Sequence, residues 1–409
     1  MNLEIDWAMI GEILSEDDFI IIHDIDNIES RVNSLKDCFP DNSTHTFAVK
    51  SNPVIEILKI FVSHNFGLEC ASIEEVWLSI EAGCPAKNIL HDGPAKTLSE
   101  ILFCLENGIG IIANDNSDLN RISHLAKNNS NLFFHKDQRI GVRLNPLVGA
   151  GDIAATSVTT PTSKFGILLD EEIDLAKLLS EYDFLNGIHL HIGSQGTSLE
   201  QLTKGINRVL KEIAKLPSDV RESLAWIDIG GGVPVDYYLG ELKFDFSQIS
   251  NNISWFTNKF PEIEILTEYG RSLISNSGIL VSRIEKRFER EGIQHLIIHA
   301  GADAFLRWAY CPDDWWHRVT FQFESESKTP TLIHGPLCFS GDTLGGITPR
   351  SSVEEGSLLA INDVGAYVIS LWSHHCNRRR PRIVGVRNSS VVVELLPRDT
   401  RENIIRYWE

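Results

Sequence analysis

Groups able to do chemistry recur in this chain at the ends of short apolar runs. Lys50 follows Phe47-Ala48-Val49 in THTFAVKSNP, and Glu69 stands in FGLEC. Arg143 stands in GVRLNP, and His191 and Ser194 in HLHIGSQ. Gly230-Gly231-Gly232 follows WID and Ile229, and Glu268, Gly270 and Arg271 share TEYGR. A lysine closing a core strand is desolvated, which lowers its pKa and frees the amine as a nucleophile toward a carbonyl; the bland alternative is a lysine that snorkels to solvent. Three glycines in a row let backbone amides approach an anion, although a tight βα turn explains them equally well. Arg271 can complete a phosphate cradle. Glu268 can hold a protonated pyridine nitrogen and so keep an electron sink strong, or it can simply pair with Arg271. His191 can stack on a flat ring and Ser194 can bond a phosphate, against the reading of a satisfied core histidine. An amine nucleophile, an anion cradle, a carboxylate and a stackable imidazole together describe a site for pyridoxal 5'-phosphate.

The elements that must position these groups alternate. Strand-like runs are expected at His45–Lys50, Phe66–Cys70, Asn88–Asp92, Gly108–Ala113, Arg139–Leu144, Gly187–Ile192, Trp226–Ile229 and Glu262–Glu268, with amphipathic stretches such as LEQLTKGINRVLKEIAKL between them. Eight such units fit an α/β chain with a (β/α)8 TIM barrel better than a doubly wound sheet, and a barrel carries its site at the C-terminal strand ends. Lys50, Glu69, Asp92, Asn114 and Arg143 all fall there. Past Gly278 the runs GILVSRIEKRF, HLIIHA, TLIHG, SLLAIND, AYVISLW, RIVGV and SVVVELL follow one another without amphipathic helices, so a C-terminal β-rich domain of barrel or sandwich type is expected. FIIIHD at residues 19–24 is an extra strand that could join it. The expected division is a barrel over 28–278 and a β-rich domain from 1–27 and 279–409.

Composition narrows the partners. The 409 residues carry 56 acidic against 37 basic side chains, a net charge of -19, which disfavours nucleic acid and anionic membranes. No run approaches the roughly 18 apolar residues of a membrane span, and the acidic N-terminus lacks a targeting pattern, so a cytoplasmic protein is expected. Seven cysteines, widely spaced and never C-x-x-C, signal neither a disulfide framework nor a thiolate zinc site. The run His374-His375-Cys376 has no acidic partner at helical spacing, so no metal is expected.

The chain resembles the fold type III pyridoxal-phosphate-dependent decarboxylases, the group of diaminopimelate, ornithine and arginine decarboxylases, whose barrel is also like that of alanine racemase. The motifs that carry the likeness are FAVKSNP, LECASIEEV, HIGSQ, DIGGG, EYGRSL, GPLCFSGD and GAYV, in that order over most of the chain. The resemblance implies that Lys50 forms the internal aldimine, His191 stacks on the cofactor ring and Glu268 binds its nitrogen. Ser194, Gly231, Gly232, Arg271 and Tyr367 would surround the phosphate, with Gly230, Gly270 and Glu69 also at the cofactor and Arg143 facing the cofactor or the substrate. It further implies a homodimer with shared active sites, in which Cys338 serves the partner's barrel and returns a proton to Cα after carbon dioxide leaves; taken alone, Cys338 reads as a small buried hydrophobe.

Two positions depart from the family pattern. Glu69 stands where an aspartate is usual. Phe339 stands where the ornithine and diaminopimelate enzymes carry an acid for the substrate's distal ammonium, and an aromatic ring cannot replace it. The segment HAGADAFLRWAYCPDDWWHR resembles one whose arginine grips a distal carboxylate, which places Arg307 there, with Tyr310 and Tyr367 beside the substrate. Trp308, Trp315 and Trp316 fit a roomy aromatic pocket or ordinary packing. The expected substrate is a diaminopimelate-like or conjugated amino acid with an acidic distal end, used in biosynthesis. The alternatives are an amino-acid racemase or epimerase, and a non-catalytic decarboxylase-like binding protein.

Overall fold

The computed structural model describes residues 6–14, 17–128, 138–323, 329–347, 353–388 and 390–409. Two compact units result. One comprises Val32–Pro234 and Leu242–Ser272; the other comprises Met1–Arg31, Val235–Glu241 and Leu273–Glu409.

The first unit is a closed barrel. Eight parallel strands, Thr44–Ala48, Gly67–Cys70, Ile89–His91, Gly110–Ala113, Ile140–Asn145, Gly187–Leu190, Trp226–Asp228 and Glu264–Tyr269, pair with their neighbours, and the first and last pair with each other. Nearly every strand residue is buried, as expected of a parallel sheet covered on its outer face by helices and filled inside by side chains. The helices start where the sequence supplies a cap: Ser72 accepts from Glu75 N ahead of Ile73–Glu81, and Thr97 with Glu100 forms a capping box ahead of Leu98–Glu106. Leu199–Lys215 buries Leu202, Ile206, Val209, Leu210 and Ile213, one stripe at helical spacing.

Because strand side chains alternate, the barrel interior is built in layers two residues apart. Leu90, Ile112, Trp226 and Leu266 pack into an apolar cluster. The indole of Trp226 fills this layer so completely that a Cβ on Gly187 would stand 2.0 Å from it and one on Gly141 2.3 Å. Two residues further along the same strands come Asp92, Asn114, Arg143, His189, Asp228 and Glu268, all buried. A polar layer thus rests on an apolar floor.

Lys50 differs from its expected place. The first strand ends at Ala48, and Val49–Ser51 forms a single 3-10 turn. The following Asn52-Pro53 pair explains the short turn: a residue before proline is pushed to extended backbone, and Asn52 has φ -159° and ψ 107°.

The second unit is β-rich. Phe19–Asp24 lies between Gly278–Arg290, antiparallel to it, and Arg382–Arg387, parallel to it. Gly278–Arg290 also pairs with Ile293–Ile298 and Leu358–Asn362, and Thr331–His334, Thr343–Ile347 and Val391–Leu396 extend the sheet. Alternate residues Ile20, Ile22, Ile279, Val281, Leu358, Ala360, Val384 and Val386 face one core with Ile10 and Leu14 of the helix Trp7–Leu14. The run AYVISLW is not a strand: Tyr367 has φ 59° and Ile369–Leu371 is a 3-10 turn, which breaks the extended path. Thr343–Ile347 is a strand without a strand-like sequence, since Gly345 and Gly346 dilute its pattern. No described helix is long and apolar enough to cross a membrane.

Candidate functional site

At the C-terminal end of the barrel the polar layer becomes an ionic cluster. Lys50 Nζ pairs with Glu69 Oε2; the lysine side chain is one-third exposed and the carboxylate fully buried. Arg143 Nη1 lies 2.8 Å from Asp92 Oδ2. Glu268 receives two imidazoles, His189 Nε2 at 3.2 Å from Oε1 and His191 Nδ1 at 3.4 Å from Oε2. Even so, neither oxygen of this buried carboxylate has a hydrogen-bond donor of good geometry among the described residues. A buried carboxylate left that way costs free energy unless a further donor meets it.

The glycine run does two jobs. Gly230 and Gly232 have φ of 70° and 102°, a backbone that other residues adopt only with strain. A Cβ on Gly231 would stand 2.2 Å from Glu268 O, and one on Gly232 2.3 Å from Gly193 O. The loops after the sixth and seventh strands and the end of the eighth strand therefore converge as bare backbone. The turn is tied by Gly230 N donating to Asp228 Oδ1 at 2.8 Å, and Gly231 N lies 3.4 Å from His191 Nδ1. Arg271, buried, opens the short helix Arg271–Ile274 directly after Gly270, where a Cβ would meet Ser51 Oγ at 2.8 Å. Ser194 lies on the loop that begins at His191.

Crowding carboxylates in one dry layer spreads their proton affinities apart. Burial, reinforced by Glu268 and Asp92, pushes Glu69 up to about 8 despite Lys50. Burial, with Glu268 adding to it, drives Asp228 well above the usual carboxylate range. Burial also works against ionised Glu268, but His189, His191 and Lys50 outweigh it and hold the group well below that range. His191 is lowered by its burial despite the pull of Glu268. Of Glu69, Asp228 and Glu268, the last is thus the one held as a firm anion. His189 and Asp228, which the sequence reading passed over, belong to this cluster; their signal was the two-residue spacing in HLH and in the run DIG that ends the seventh strand.

The β-rich unit gathers rings instead. The Arg307 guanidinium lies 4.7 Å from the Trp315 ring and 4.9 Å from the Tyr367 ring. Tyr310 and Phe339 stack with centroids 5.7 Å apart, and Phe339 also meets His375 at 6.1 Å. Trp308 and Trp315 are buried, while Trp316 packs on Tyr238 at 3.8 Å. The loop carrying Cys338 and Phe339 is held by Asp342, whose carboxylate accepts from Leu337 N at 2.7 Å and Ala302 N at 2.6 Å. Cys338 is exposed on that loop, not buried.

Comparison with known proteins agrees with these two descriptions. Residues 25–275 match the family model for the pyridoxal-binding domain of pyridoxal-dependent decarboxylases. Among curated relatives, a diaminopimelate decarboxylase of Helicobacter pylori is 28% identical over 87% of each chain, and one of Methanocaldococcus jannaschii is 27% identical over 88% of this chain and 82% of its own. Among solved structures, a point mutant of the Helicobacter pylori diaminopimelate decarboxylase complexed with L-lysine superposes with a TM-score of 0.85 at 25% identity, covering 97% of this chain and 98% of that one.

Proposed function

Because this chain belongs to the pyridoxal-dependent decarboxylases, we propose that the barrel cluster binds the cofactor with Lys50 as its covalent anchor, and that the enzyme decarboxylates an amino acid with an acidic or conjugated distal end. The activity class and the cofactor, pyridoxal phosphate, follow from the family. The residues present fit that group. Glu268 offers buried carboxylate oxygens short of a donor, which suits a protonated ring nitrogen, and the Gly230-Gly231-Gly232 loop leaves bare backbone where any Cβ would collide. When bound, pyridoxal phosphate supplies an aldehyde that takes an amine and a ring that accepts the electrons of the broken Cα–carboxylate bond.

Each remaining role falls to a side chain. Lys50 presents its amine, and Glu69, kept next to it, takes up or returns that amine's proton. Glu268 would accept the ring N–H. His191 would pack against the cofactor, and Arg143, fixed by Asp92, would line the site. Ser194, the glycine loop, Gly270, Arg271 and Tyr367 would hold the phosphate end. Cys338, exposed on a loop pinned by Asp342, would supply a proton to the substrate's Cα. In this reading the enzyme is a cytoplasmic homodimer in which Cys338 and Tyr367 act on the cofactor of the partner subunit.

The substrate reading rests on the β-rich unit. Arg307 is the cation that a distal carboxylate would seek, and it is flanked by Trp315 and Tyr367. Phe339, stacked on Tyr310, offers no acid for a distal ammonium. The observation that carries the functional reading is a buried carboxylate, Glu268, met by two imidazoles in the layer where Lys50 pairs with Glu69 at the barrel mouth. Carbon dioxide release from purified, cofactor-loaded enzyme tests it: faster turnover of diaminopimelate or a conjugated acidic amino acid than of lysine or ornithine is expected. Preference for free lysine or ornithine contradicts the substrate reading, and racemisation without carbon dioxide contradicts the activity.

A further inference from the structure

His189, the first histidine of HLHIGSQ, has no part in the chemistry above, yet it sits beneath it. It is fully buried on the sixth barrel strand, with Nε2 3.2 Å from Glu268 Oε1 on the eighth and 3.9 Å from Asp92 Oδ2 beyond the third. Asp92 is in turn held by Arg143 on the fifth strand. The charged and titratable groups around this imidazole are therefore Asp92, Glu268, Arg143, Asp228 on the seventh strand, and His191 just past the end of its own strand. Arg143 pairs with Asp92, and Lys50, seated on Glu69, acts on Glu268 only through its field. The ion pairs of Glu268 among the described residues are with imidazoles, and His191 is pushed toward neutrality by burial. If His189 were neutral as well, an anion would stand in a dry layer without a close counter-charge, a costly arrangement that a carboxylate escapes by taking up a proton.

We propose that His189 is an imidazolium at neutral pH that holds Glu268 ionised, making it a positioning residue that sets how strongly the cofactor withdraws electrons. The inference rests on Glu268 facing the ring nitrogen. Glu268 and the ring nitrogen share one proton. While His189 is charged the carboxylate stays a weak base and the proton stays on the ring; without that charge the carboxyl competes for it, and the ring loses its pull on the Cα electrons. Burial alone would lower the affinity of His189 for its proton, but Asp92 and Glu268 outweigh both burial and Arg143 and raise it to about 9.

The holoenzyme supplies the test. In protein labelled with 15N-histidine, one imidazole should keep both ring nitrogens protonated up to a pH of about 9, and His189→Asn should remove that signal. A wild-type enzyme in which every imidazole is neutral by about pH 8 overturns the proposal and needs no variant to fold. Reconstitution with pyridoxal phosphate carrying 15N in the ring then reads the shared proton directly. Glu268→Gln should move the ring nitrogen to its unprotonated shift. His189→Asn should move it in the same direction and lower kcat about tenfold for each unit by which the Glu268 carboxyl rises, with KM little changed. If Glu268→Gln leaves the ring nitrogen where it was, the placement of Glu268 fails and the inference falls with it. If Glu268→Gln moves the signal and His189→Asn does not, the inference alone is wrong.

Discussion

The two units prepare their functional groups by opposite means. In the barrel, charge is packed where water is absent: Glu69, Asp92, Arg143, His189, Asp228 and Glu268 are all buried, and their mutual fields decide which of them is ionised. In the β-rich unit, Arg307 lies against two rings, Phe339 is stacked on Tyr310, and Cys338 is exposed on a pinned loop. In the proposed reading the barrel residues would set the electronic state of a bound group, a job that tolerates little change. The aromatic residues would select by shape and by one cation, a job that single substitutions can retune.

The difference can be broken most severely at the barrel floor. Trp226→Ala removes the ring that fills the space left by Gly141 and Gly187, and a loss of about 3–5 kcal/mol of stability is expected in denaturant titration. A loss under about 1 kcal/mol would mean that the polar layer does not depend on that floor. Next comes the polar layer itself. Glu268→Gln keeps the shape and removes the charge, and kcat should fall by about 10²–10³ with folding retained.

A smaller effect should appear in the pH dependence of stability. His189 is raised from 6.5 to about 9, so the stability it contributes is complete below 6.5 and is lost as pH rises through about 9. Glu69 is raised from 4.5 to about 8, so the fold favours its neutral form and is penalised as pH climbs through that window. Both act in one direction: the thermal midpoint of the cofactor-free protein should fall between pH 6.5 and 9, and His189→Asn should flatten that fall. A midpoint that rises over this window would contradict the charge assignment. The mildest change belongs to the β-rich unit, where Phe339→Glu should leave stability within about 0.5 kcal/mol. It should shift the kcat/KM ratio toward substrates with a distal ammonium by about 10- to 100-fold.

The contrast also explains what was legible in the sequence. The barrel strands were readable because a parallel βα repeat fixes both period and polarity, so that Glu69, Arg143 and Glu268 could be placed near their C-terminal ends, with Lys50 and Arg271 just beyond, on a turn and a short helix. His189 escaped because a histidine inside an apolar run reads as core; only the closure of the barrel brings strands three, five, six and eight together around it. In the β-rich unit, local pattern was a weaker guide. AYVISLW reads as a strand but turns at Tyr367, because one residue with positive φ overrides the β-propensity of its neighbours. The stack of Tyr310 on Phe339 joins positions 29 residues apart in sequence through a loop whose shape depends on Asp342, which no periodicity reveals.

The most direct measurement is the identity of the residue that holds the cofactor. Purified protein loaded with pyridoxal phosphate should absorb at about 420 nm, a property of the bound cofactor. Borohydride should abolish that band and leave the pyridoxyl group, by peptide mass spectrometry, on Lys50 alone. A colourless protein, or a label on another lysine, would contradict the assignment of the barrel mouth as the catalytic centre.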